Sequence, residues 1–545
     1  MPDRITTLID RSGYHFGKRS GVMSLWQTIA DNFYPERAQF TRTHYLGEEF
    51  ATDLNSSYPL IVRRELGNAF SAMLRPRDEE WFGITVEHEE RLDQAGRQWL
   101  EWASGVQRRA MYDRLSQFVR ATKEGDHDFA AFGQCVLSRE LDMREQALLY
   151  RCWHLRDVAW VERYNGTIGE VYRKWKPTAR DLNKLFPNTV HQTVKDALTK
   201  EPHREINCLH VVLPTEDYET DDPKAKRYPW YSVYIDVDNK QPLQEIGSFS
   251  RIYTIPRWQT VSGSQYAYSP ATVAGLPDAR LIQAMTLTLL EAGEMAVRPP
   301  LIATKEAIRS DLAIYAGGVT WADAEYDERL GEVLRPIYQD KSGFPTGMEM
   351  QRDAREMLSQ AFYLNKLNLP PQTAQPMTAY ETSQRIQEYI RTALPLFEPM
   401  ETEYNAALCD DTFEALMRAG AFGSPDDIPD SIRGADIRFR FESPLHQAIE
   451  RKKGQQFLES KQLIDQAVTL DPVAAQILDT QAALRDALNG VGTPAKWLRT
   501  EDAVQQIADQ HAAEQQAQSQ IANLASAGQA AQALGEAQKS LTAVS

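Results

Sequence analysis

Leu276-Pro-Asp-Ala-Arg-Leu-Ile-Gln-Ala-Met-Thr-Leu-Thr-Leu-Leu-Glu-Ala-Gly-Glu-Met-Ala-Val-Arg-Pro-Pro300 reads as a helix with a defined start and a defined stop. Pro277 suits a first helical turn, where its missing N–H costs nothing, and Arg298-Pro299-Pro300 cannot continue a helix. Between them Leu281, Ala284, Met285, Leu289, Ala292 and Ala296 recur at helical spacing. Gln283 interrupts the most apolar run, Leu281 to Leu290, and Glu291 and Glu294 follow it, so the run is too short to span a bilayer. Residues 299–345 then read as a compact mixed insert containing Gly317-Gly318. Thr346 and Glu349 form a capping box for a second helix, whose Met350, Ala354, Met357, Leu358 and Ala361 share a face.

Downstream, Asn368-Leu-Pro-Pro-Gln-Thr-Ala-Gln-Pro376 is a loop, because neither a helix nor a central strand tolerates three prolines at that spacing. Thr378 and Glu381 open a long helix that Pro395 and Pro399 kink. Helices continue to the end, broken near Ser424–Pro429 and at Gly490–Pro494. From Glu501 to Ser545 more than half the positions are Ala or Gln, a segment that favours helix but buries little surface alone.

Upstream, Ser20 caps a helix carrying Val22, Leu25, Trp26, Ile29, Ala30 and Phe33, ended by Tyr34-Pro35. A second runs from Pro59 to Leu74, and helical patterns cover roughly 91–123. After Gly133 the character changes to strands at 135–141, 148–154, 159–164 and 167–175, with Asn165-Gly166 as a type I′ hairpin signal. A polar helical stretch reaches about Lys200, and strands resume at 208–213, 230–236 and 250–255. The expected fold class is α+β, predominantly helical.

The composition is that of a folded chain, with 42% apolar and 25% charged residues over a length of 545. A net charge of −16 argues against clamping nucleic acid by phosphate neutralisation. Cys135, Cys152, Cys208 and Cys409 are too dispersed for a C-x-x-C unit and read as buried thiols in a reducing compartment. The first ten residues have no apolar core of the kind a secretory signal needs, so the reading is a soluble protein made in the cytoplasm. Gly13 to Lys18 spells G-x-x-x-G-K, one residue short of a phosphate loop, with Arg19 at the Ser/Thr position; a polar turn accounts for it. Asp236, Asp238 and Asn239 begin like a calcium loop, but Gln241 and Gly247 fall where Gly and Glu are needed. No H-E-x-x-H, G-x-S-x-G or G-x-G-x-x-G occurs, and no carboxylate pair stands out. No catalytic residue, metal site or cofactor is expected.

Several stretches, in order, resemble the head-to-tail connector (portal) proteins of podovirus-type bacteriophages. They are Phe33-Tyr-Pro before a polar arm, Leu66-Gly-Asn-Ala-Phe-Ser-Ala-Met-Leu-Arg-Pro76 before Glu80-Trp-Phe-Gly-Ile84, and Tyr268-Ser-Pro-Ala-Thr-Val-Ala-Gly-Leu-Pro-Asp-Ala279. Pro376-Met-Thr-Ala-Tyr-Glu-Thr-Ser-Gln-Arg385 and Ser443-Pro-Leu445 complete the series, whereas Ala267-Tyr268 stands where the family has Tyr-Gly.

The resemblance implies a closed ring, usually of twelve subunits, at one capsid vertex of the virion, assembled in the host cytoplasm and passing DNA without chemistry of its own. It implies an α/β wing from 1–275 and 378–440, the latter including the long kinked helix. Antiparallel stem helices would be 276–298 and 346–367, with a clip at 299–345. A channel loop at 368–377, a crown at 441–500 and a C-terminal barrel at 501–545 complete the plan. Leu281, Met285, Leu289, Met350, Ala354 and Met357 would be stem residues. Asn368, Pro370, Pro371, Gln372, Thr373 and Gln375 would face double-stranded DNA, the prolines leaving the loop little entropy to lose. Implied partners are other copies of the chain, the major capsid protein and scaffold, the terminase large subunit, and tail adaptor or nozzle proteins, with no membrane. Two other classes stand beside this one: a different tail or adaptor structural protein, and a nuclease using scattered carboxylates.

Overall fold

A computed structural model describes residues 4–45, 47–77, 80–88, 92–142, 147–219, 225–297, 301–303, 334–336, 343–367, 400–441, 457–464, 466, 479–490, 493, 497–499, 503–511, 513–516 and 518. The chain forms two compact units. One comprises residues 1–82, 106–422 and 441–445; the other comprises 83–105, 423–440 and 446–545.

The first unit is built on a five-stranded antiparallel sheet, Val158–Glu162, Ile168–Trp175, Cys208–Pro214, Trp230–Asp236 and Gln241–Ser248, in that spatial order. Alternate residues Leu209, Val211 and Leu213 pair with the Tyr231, Val233 and Ile235 row on one face. Ile5 and Leu8 of the helix Arg4–Lys18 cover that face. This helix overturns the polar turn expected at Gly13 to Lys18. Ile5, Leu8 and Phe16 hold one face against the sheet, so tertiary burial outweighs the two glycines. Arg19, buried at its end, donates to the carbonyls of Leu155 and Val158 at 2.7 Å each and to that of Arg156.

The edge strand Gln241–Ser248 also escaped the sequence reading, because Pro242 and Gly247 break its pattern. Only an edge accepts them, since one side of the strand needs no ladder hydrogen bonds. The expected strand at 250–255 contracts to Tyr253–Thr254, which pairs with Val136–Asp142. Asn165-Gly166 does turn a hairpin, but only Gly166 has positive φ, at 80°. Gly166 N–H donates to Arg163 O at 3.0 Å and Arg163 N–H to Thr167 O at 2.8 Å. This is the three-residue loop with a glycine bulge, not type I′, and the ladder shifts register at Val161/Glu162 to absorb it.

A second core lies under Ser20–Phe33, Tyr58–Leu74 and Phe118–Phe132. Trp26, Phe33, Phe70, Phe129 and Phe132 are buried there, and Trp258 stacks on Phe129 at 5.5 Å. The helical pattern read over 91–123 divides into Gln94–Met111 and Phe118–Phe132, separated where Gln117 takes φ 56°. Gly133 ends the latter at φ 72°, donating its N–H to Phe129 O at 2.8 Å. A Cβ there would collide with the backbone of Tyr268 and Ser269. Gly133→Ala is expected to cost about 3 kcal/mol, combining positive-φ strain with the clash. Urea denaturation would show it as a lowered midpoint.

In the second unit, Phe82–Val86 and Ile437–Phe441 form a two-stranded sheet. Arg438 pairs with Glu87 at 2.7 Å, and Ser431 Oγ donates to Asp93 Oδ1 at 2.7 Å. Ser424 and Asp427 make a capping box at the break read from sequence, and Thr480–Gly490 ends at the other.

Candidate functional site

The quoted segment lies in one long helix, Pro270–Val297. It starts six residues before Leu276, because Ser269 and Pro270 supply cap and first turn. Thr272 N–H donates to Ser269 Oγ at 3.4 Å. Pro277 therefore sits inside the helix and leaves the carbonyl four residues back without its helical donor. The returning helix, Gly343–Ala361, begins upstream of Thr346, so Thr346 and Glu349 lie within it instead of capping it; Pro345 occupies its first turn. Tyr363 at φ 58° marks its end.

The two helices pack antiparallel. A Cβ at Gly275 would meet Leu358 Cδ1 at 2.7 Å, and one at Gly347 would meet Leu289 Cδ2 at 2.9 Å. Between these contacts Gln351 Nε2 donates to Thr286 Oγ1 at 2.7 Å. Ala279, Ile282, Ala354, Leu358 and Phe362 are buried along the seam. Beyond its far end Leu301–Ala303 pairs antiparallel with Leu334–Pro336, closing the base of the insert.

Helical spacing divides what remains into two flanks and two backs. Leu281 and Met285 on one helix, with Met350 and Met357 on the other, make one flank; Leu281, Met350 and Met357 are 43%, 56% and 49% exposed. Leu287 and Leu290, with Phe344 and Met348, make the opposite flank, all four exposed. The backs are polar: Glu349, Arg352, Asp353 and Glu356 on the returning helix, Arg280, Thr288 and Glu291 on the outgoing one, are exposed. Of the residues picked out by the sequence reading, Ala354 and Leu289 belong to the seam, while Leu281, Met285, Met350 and Met357 share a flank. Asn368, Pro370, Pro371, Gln372, Thr373 and Gln375 lie outside the described residues, as do the helix expected from Thr378, residues 304–333 of the insert and residues 519–545 of the tail.

The sequence reading missed a strap whose last residues, Asn55 to Tyr58, are held on the second flank. The chain between Ala38 and Tyr58 is pinned at each end by a different glutamine. Gln27 Oε1 accepts from the N–H groups of Phe40 and Thr41 at 2.9 Å each, and Gln27 Nε2 donates to Ala38 O at 3.0 Å. Gln283 Oε1 accepts from Asn55 and Ser56 N–H at 2.8 Å each and its Nε2 donates to Ser56 O at 2.8 Å. Tyr58 OH then donates to Arg355 O on the returning helix at 3.1 Å. Gln283, read as a break in an apolar run, is thus the anchor of a loop some 230 positions away; a lone polar residue on an apolar face was the only available signal.

Among the described residues no group of His, Cys, Asp or Glu side chains is placed to hold a metal ion, and no helix is long and apolar enough to cross a membrane. Cys135, Cys208 and Cys409 are buried thiols, and Cys152 is half-buried beside Asp128. The helix hairpin exposes apolar side chains along two flanks. The sequence matches the family described as bacteriophage head to tail connecting protein over residues 7–498. It is 25% identical over 455 residues to a probable portal protein of Bordetella phage BPP-1, covering 81% of this chain and 79% of that protein. It is 22% identical over 382 residues to the portal protein of Salmonella phage epsilon15, covering 69% and 67%. A chain from the neck of an empty GTA particle gives a TM-score of 0.36 at 12% identity, over 81% of this chain and 90% of that one, too distant to bear on the fold. The chain belongs to the bacteriophage head to tail connecting proteins. Its function is that of a portal at the capsid vertex.

Proposed function

We propose that copies of this chain close into a ring, usually twelve in the family, whose channel passes double-stranded DNA during packaging and ejection. The observation that carries this reading is the pair of unlike apolar flanks on one helix hairpin. Closed cyclic assembly needs two different complementary surfaces per subunit, one for each neighbour. The polar backs then face solvent, inside and outside the ring. In this arrangement the hairpin is the stem, the insert 299–345 the clip that meets the terminase and later the tail, and 1–275 with 378–440 the wing. Residues 441–500 form the crown and 501–545 the barrel. Assembly joins the capsid protein and scaffold in the cytoplasm, and the finished ring resides in the virion. Electron microscopy of the purified full chain tests the reading. Rings with a central channel are expected; a monomer that persists across salt and concentration would overturn it.

The 368–377 loop is proposed to line the channel, where Gln372, Thr373 and Gln375 offer uncharged contacts to a sliding phosphate backbone. The Gln372→Lys/Gln375→Lys double variant adds counterion-releasing contacts. It is expected to slow packaging in an in vitro translocation assay, with the deficit relieved as salt rises. Unchanged rates at low salt would place the loop away from DNA.

A further inference from the structure

We infer that the strap of residues 41–57 is the surface that meets the next copy of this chain at the base of the helix hairpin; this rests on the ring reading above. Neighbours in a closed cyclic ring are related by rotation without rise, so each height on one flank faces the same height on the neighbour's opposite flank. Heights follow from the seam, where Gly275 lies level with Leu358 and Phe362, Thr286 with Gln351 and Leu289 with Gly347. Leu281 and Met357 therefore expose their apolar surface between the base and the Thr286–Gln351 contact.

On the opposite flank, the apolar residues Leu287, Leu290, Phe344 and Met348 all lie on the tip side of that contact. At the height of Leu281 and Met357, that flank instead carries the end of the strap, Asn55 and Ser56 on Gln283 and Tyr58 on Arg355. The strap also carries exposed aromatic surface: Tyr45 is 80% exposed, and Phe50, edge-on to His44, is 43% exposed. Its two pinned ends lower the ordering cost of docking, which is how a loop becomes a preorganised contact. A flexible loop would serve poorly here; a strap fixed to the hairpin moves with it.

The test compares the wild-type full chain with the Tyr45→Ser/Phe50→Ser variant, both exposed positions that leave the single chain's core untouched. Sedimentation velocity gives the concentration for half-assembly, and hydrogen–deuterium exchange follows the amides of 42–54 in single chains and in rings. The expected results are a rise of about tenfold or more in the half-assembly concentration, as for truncating aromatic anchors at an interface, and strap amides that slow on ring formation. An unchanged half-assembly concentration, or strap amides that exchange equally fast in both forms, overturns the inference and leaves the ring standing. Wild-type chain that forms no ring removes the ring reading itself, and the inference with it.

Discussion

Glutamate at both Met350 and Met357 is expected to hold this chain as a folded monomer. Both side chains are about half exposed in the single chain, so neither supports its core. Glutamate favours helix about as well as methionine, and the returning helix should form unchanged. In a ring the same positions face the neighbour. Each introduced carboxylate would then lose water without gaining a partner, at an effective cost of several kcal/mol per ion. Asp353, three residues after position 350 and four before 357, raises that cost as a like charge beside both. The penalty recurs at every interface of the ring, so partial assembly offers no escape. Sedimentation velocity should show one slow species, with far-UV circular dichroism and the thermal midpoint close to wild type. Met350→Leu/Met357→Leu keeps the apolar flank and should still give rings. Rings from the glutamate variant at wild-type concentration would mean that this flank faces solvent.

What could be read from the sequence followed the range of the forces involved. The helix hairpin was legible because prolines, caps and apolar spacing are local, but that spacing did not separate Leu289 and Ala354 of the seam from Leu281, Met285, Met350 and Met357 of the flank. Its boundaries were less so. The outgoing helix tolerates Pro277 internally, and the returning helix absorbs Thr346, because packing along the seam outweighs a lost hydrogen bond or an available cap. The helix Arg4–Lys18 did carry a local signal, Ile5, Leu8, Ile9 and Phe16 at helical spacing, but the glycines of Gly13 to Lys18 read as a turn instead. The strap was hidden for a stronger reason. Gln27 and Gln283 hold backbone amides, and such bonds leave no trace in the identity of the residues held.

Arg75 shows the same limit inside the core, where its replacement by methionine should be among the costliest single changes in the chain. It ends the Tyr58–Leu74 helix in the stretch that the sequence reading valued only for its proline turn. Its guanidinium is buried, pairs with the buried Asp126, donates to Asn405 Oδ1 at 2.6 Å and stacks over Tyr404 at 4.5 Å. Tyr404 and Asn405 belong to the π-helical turn Glu401–Ala406, so one side chain ties three segments of the first unit together. Burial pushes the Asp126 carboxyl above its ordinary range, and Arg75, with a smaller part from the Tyr404 hydroxyl, pulls it back. In Arg75→Met the larger part of that opposition is gone, leaving a buried carboxylate without its counter-ion. Breaking such a pair from one side costs about 3–5 kcal/mol. The pH dependence has a definite sign. With its folded pKa raised further above the ordinary 3.8, Asp126 takes up a proton in the native state more readily than in the unfolded chain. The deficit of the variant relative to wild type is therefore fully expressed above the raised folded pKa. It shrinks as pH falls from that value to the wild type's own raised folded pKa, below which Asp126 is protonated in both native proteins. Urea denaturation of both proteins at pH 7 and pH 5 measures this, and Arg75→Met/Asp126→Asn, which removes both charges, should recover most of the loss at pH 7. A single variant as stable as wild type at pH 7, or a double variant no better than the single one, would show that Arg75 acts through packing on Tyr404 and not through the charge of Asp126.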